Sequence, residues 1–116
     1  MQTFLNQSEP EFSSPESAIG GLELARYAQW VRAAAVVNAA ETGQTAQSFI
    51  ENEVLMKTKD PRKVLAVVMD LSNGELEIVK RSNSSLLIGL RSVIQNGIRN
   101  FPGNEFYIEA YKKLSN

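Results

Sequence analysis

From Leu22 to Glu41, fourteen of twenty residues are apolar, and the polar ones (Glu23, Arg26, Gln29, Arg32, Asn38, Glu41) do not gather on one narrow face. The stretch is rich in Ala and Leu and holds neither Pro nor Gly, so its composition predicts a helix. A helix that is apolar nearly all round is usually buried. This one is therefore expected at the centre, with the rest of the chain packed about it.

Three further stretches repeat apolar residues at helical spacing. Ala46, Phe49, Ile50, Val54 and Leu55 predict a helix over about 44–57, closed by Asp60-Pro61, because the residue before a proline is pushed out of the α region. Leu86, Leu87, Leu90, Val93, Ile94, Gly97, Ile98 and Phe101 follow an i, i+3, i+4, i+7 pattern behind the capping residues 82–85. Tyr107, Ala110, Tyr111 and Leu114 line a last short helix that Asn104 is placed to cap. Upstream, Ser14-Pro15-Glu16-Ser17 reads as a helix start and Gly20-Gly21 as a break, while Gly43 offers the residue without a Cβ that a helix C-terminus favours.

The segment 63–81 supports two readings. As a hairpin, KVLAVVMD and ELEIVKR are strands rich in β-branched residues, joined at Ser72-Asn73-Gly74. As helices, Asp60-Pro61 is a cap with a first-turn proline, Val64, Leu65, Val68 and Leu71 share a face, and Ser72 to Glu75 forms a capping box. The hairpin is preferred, with the condition that it lies on the helices, since two strands alone are marginal. The expected fold is mainly α in the α+β class: four to five helices around the Ala-rich one, with a β-hairpin near 63–81. An all-α bundle is the alternative. Residues 1–14 read as a flexible tail with Phe4, Leu5 and Phe12 as its large apolar groups, and 15–116 as a single helical domain.

Composition narrows the chemistry. The 116 residues suffice for one core without disulfides or metal. With no Cys and no His, thiolate nucleophiles, imidazole acid/base work and most zinc or haem ligation drop out. Neither a phosphate-cradling Gly-rich loop nor an oxygen cage is present, Asp60 and Asp70 being isolated, so no cofactor, metal or catalytic residue is expected. No segment reads as a membrane span or signal peptide, and a cytoplasmic location is expected.

The net charge of -1 hides an asymmetry: residues 1–56 hold seven acids and two Arg, residues 57–99 eight bases and four acids. A non-enzymatic regulatory or adaptor protein is the favoured function, acting through protein contacts as a homo-oligomer. Its partner-binding residues are expected to be Arg26, Tyr27, Trp30, Val31 and Ala34, because aromatic anchors flanked by Arg match interface composition. The alternative is a nucleic-acid-binding regulator that uses Lys80, Arg81, Arg91 and Arg99 of the basic middle third.

Overall fold

A computed structural model describes residues 8–115, so Phe4 and Leu5 of the expected tail lie outside the described residues. Helix α1 spans Gly21–Thr42. Helix α2 (Ala46–Phe49) continues as a π-helix over Ile50–Leu55, and α3 (Pro61–Asp70), α4 (Asn73–Ser82), α5 (Ser84–Asn100) and α6 (Glu105–Ser115) follow.

Among the described residues there is no strand, and the hairpin expected over 63–81 is replaced by α3 and α4. The local signals for helix win at both starts. The Asp60 carboxylate accepts the Arg62 backbone N–H at 2.9 Å, with Pro61 in the first turn where its missing donor costs nothing. Ser72 Oγ accepts the Glu75 N–H at 3.1 Å while Glu75 Oε1 accepts the Ser72 N–H at 2.8 Å, a complete capping box. Asn73-Gly74 opens α4 instead of turning a hairpin. The left-handed conformation falls at Gly43 (φ 79°), which ends α1 by donating its N–H to Ala39 O.

Burial overturns a second expectation. Every residue from Val64 to Val68 is buried, and α3 packs against α1, α5 and α6. The centre of the fold is therefore α3, which is covered all round. Helix α1 lies against α2, the π segment and α3, and keeps an open side on which Leu22 and Val36 are 75% and 63% exposed. The molecule measures 41 × 33 × 20 Å, so its thin dimension is about two helix diameters.

A polar joint fixes α1 to the α3–α4 corner. Arg32 donates from Nε to Asp70 Oδ2 at 2.6 Å and from Nη1 and Nη2 to Glu75 Oε2 and Oε1 at 2.9 and 2.7 Å. Hydrogen bonds from Arg32, outweighing partial burial, hold the Glu75 carboxyl down to about 2.

The segment before α1 is not a helix. Pro15 to Ala18 make a single turn (Ala18 N to Pro15 O, 3.0 Å), and Ser14 engages the Glu23 carboxylate through its N–H and its hydroxyl instead of capping a helix. Arg62 donates to Ser14 O at 2.9 Å and lies over the Phe12 ring at 5.2 Å. At the far end, Asn104 caps α6 by accepting the Phe106 N–H and donates to Glu16 O at 3.1 Å.

Candidate functional site

A groove of about 600 Å³ lies between α1, the α2–π segment and the start of α3. Helix α1 supplies Tyr27, Trp30, Asn38 and Thr42; the π segment supplies Glu53 and Val54, followed by Lys57 and Thr58; Glu9 and Lys63 close one end. A π-helix closes each hydrogen bond one residue further along than an α-helix (i→i+5), which widens the turn, and such segments are frequent at functional sites. Here the widened turn presents both Glu53 and Val54 to the groove.

Aromatic rings form the floor. Tyr27 lies 5.4 Å from Phe12 and 6.2 Å from Trp30, centroid to centroid, so Phe12 of the expected tail is docked on α1. Ion pairs on the walls join Lys63 to Glu9 at 3.0 Å and Lys57 to Glu53 at 2.7 Å. Burial, reinforced by the nearby Glu9 carboxylate, pushes the Tyr27 hydroxyl well above its ordinary pKa, so it stays protonated. Trp30 is half-buried, and its Nε1 is shielded from solvent with no hydrogen-bond partner among the described residues. The groove thus offers a half-buried indole, with an unpaired N–H shielded behind its surface, and balanced charge on its walls.

The residues expected to bind a partner do not form one surface. Tyr27, Val31 and Ala34 are 2%, 1% and 0% exposed, covered by the chain's own residues on the inner side of α1. Trp30 opens on the groove and Arg26 points to solvent. Tyr27, Val31 and Ala34 belong to the core instead, because the side of α1 they share is the one covered by its neighbours.

The basic residues are also dispersed. Arg91 donates from Nη2 to Leu114 O at 3.0 Å, closing the end of α6, and Gln95 one turn on donates to the Tyr111 hydroxyl at 3.2 Å. The row Arg91, Gln95, Arg99 therefore begins along the α5–α6 seam, since α6 packs beside α5. Lys80 faces Glu77 at 3.5 Å, Arg99 donates to Asn96 Oδ1 at 3.3 Å, and Arg81 is exposed.

Sequence reasoning missed Glu9, Asn38, Glu53, Lys57 and Lys63 as groove residues. Their only signal is proximity created by the α1–α2 turn and the π segment, neither of which has a periodic signature. No helix among the described residues is long and apolar enough to cross a membrane. No family model matches the chain, and neither a curated protein nor a solved structure shows significant similarity to it.

Proposed function

We propose that the chain is a non-enzymatic adaptor or regulatory protein of the cytoplasm, acting through protein contacts as a homo-oligomer, with the groove beside α1 taking an extended segment of a partner. One observation carries the reading: Trp30 lines the groove with a half-buried indole whose N–H is shielded and has no acceptor among the described residues. A buried donor without a partner costs about 1–3 kcal/mol, a cost removed when the indole turns its N–H into the groove to meet a backbone carbonyl of the partner. The exposed part of the indole supplies the apolar contact that such anchors make.

The test is affinity capture from host extract with and without nuclease, at low and high salt, using the wild type and Trp30→Phe, which keeps a ring and removes the donor. The expected result is one stoichiometric protein, retained after nuclease treatment and in high salt, and retained less by Trp30→Phe. Recovery that collapses with nuclease and falls steeply with salt overturns this reading in favour of phosphate contacts by Lys80, Arg81, Arg91 and Arg99.

A further inference from the structure

The outer side of α1 carries a pattern that neither core nor groove uses. Leu22, Arg26, Gln29, Ala33, Val36 and Ala40 are all exposed. They recur at intervals of four, three, four, three and four residues, the 3.5-residue spacing of a coiled-coil seam, over about 27 Å of helix. Four of the six are apolar, and the alanines let a second backbone approach closely.

We propose that this stripe is a self-association seam, with α1 packing antiparallel on α1 of a second copy so that Leu22 faces Ala40 and Gln29 faces Ala33. The intervals read the same from either end, so a reversed copy matches every position, as an isologous two-fold interface requires. In this register a larger side chain meets a smaller one in those layers, and Val36 lies beside the aliphatic stem of Arg26. A parallel pair would set Arg26 against Arg26 and Leu22 against Leu22, leaving Ala33 facing Ala33 across a gap. The antiparallel pair separates the two arginines by about 15 Å. It also carries each toward the end of the other α1 where Glu41 is exposed.

The inference develops the self-association in the proposed function and shares no residue with the groove, so the two stand or fall separately. One helix per copy gives less than the roughly 1,200–2,000 Å² of a standard interface, so the pair is weak and concentration-dependent.

Sedimentation equilibrium of the full chain over roughly 1 μM to 1 mM tests it. The expected mass rises from 12.8 kDa toward twice that value. Ala33→Glu, at an exposed position, is expected to hold the mass at the monomer value with an unchanged unfolding midpoint. The chain has no cysteine, so disulfide trapping reads the register cleanly: Leu22→Cys mixed with Ala40→Cys is expected to cross-link on mild oxidation, and neither alone. A wild type that stays monomeric throughout, a dimer that survives Ala33→Glu, or Leu22→Cys that cross-links with itself as readily as with Ala40→Cys overturns the seam. Partner capture that persists in monomeric Ala33→Glu shows the groove acting alone, whereas a seam that survives while Trp30→Phe captures normally rejects the groove.

Discussion

Gly97 shows how a single missing atom sets a contact. It is buried on α5, and a Cβ added there would overlap the ring of Tyr107, which is itself fully buried. Alanine favours helix over glycine by up to about 1 kcal/mol. Overpacking a filled site typically costs about 1–3 kcal/mol. Sterics win, so Gly97→Ala is expected to lower stability in urea unfolding, and Tyr107→Leu in the same chain to recover part of the loss. Glu75 supports a second expectation at this scale. Its carboxyl is lowered from 4.5 to about 2 by hydrogen bonds from Arg32. A depressed acid stabilises the fold above its unfolded pKa and loses that contribution as pH falls through the folded one. The difference in unfolding midpoint between the wild type and Glu75→Gln should therefore be whole above about 4.5 and close between there and about 2. A difference that stays constant across that window would show that the Arg32 contact adds nothing.

At the scale of elements, α3 explains why the hairpin looked plausible. A short unbroken apolar run rich in β-branched residues suits a buried strand and a buried helix equally, and periodicity cannot separate them when every side is covered. Val64 to Val68 is such a run. The deciding information lay outside it, in Asp60-Pro61 and in Ser72 and Glu75, whose caps were legible but compete with a hairpin that uses the same residues. By contrast α5 was readable almost to its ends, because one face of it meets solvent and the stripe is sharp; even Gly97 fell on the core side. The groove was not legible, since it depends on a π segment and on the turn at Gly43. If the box at the start of α4 decides the outcome, Ser72→Ala should cost about 1 kcal/mol by thermal unfolding. Leu65→Ala, at the centre of α3, should cost about 2–5 kcal/mol. A Leu65 effect below that of Ser72 would contradict the placement of α3 at the middle of the core.

Across the whole molecule, stability is expected to be uneven. Residues 8–20 are fastened mainly by side chains: Arg62 to Ser14 O, Ser13 and Ser14 to Glu23, and Asn104 to Glu16 O. Backbone bonding there amounts to one turn and the entry into α1, with Ile19 and Phe12 as the apolar contacts. Helices α3, α5 and α6 bond their backbones internally and share the buried core. A segment held by few hydrogen bonds at the edge of the fold opens at lower free energy than the core it covers. Because this segment also carries Glu9 and Phe12, its opening removes one end of the groove and bares Tyr27. Arg62→Ala cuts the bond to Ser14 O, the stacking on Phe12 and the ion pair with Asp60, while the core side chains and the bond from the backbone N–H of residue 62 to the Asp60 cap stay in place. Hydrogen exchange should then speed up over 8–20 and at the start of α1, with protection in α3 and α5 unchanged, and partner binding should weaken in step with it. Uniform acceleration across all helices would mean that Arg62 supports the global fold, and that the segment and the core unfold as one unit.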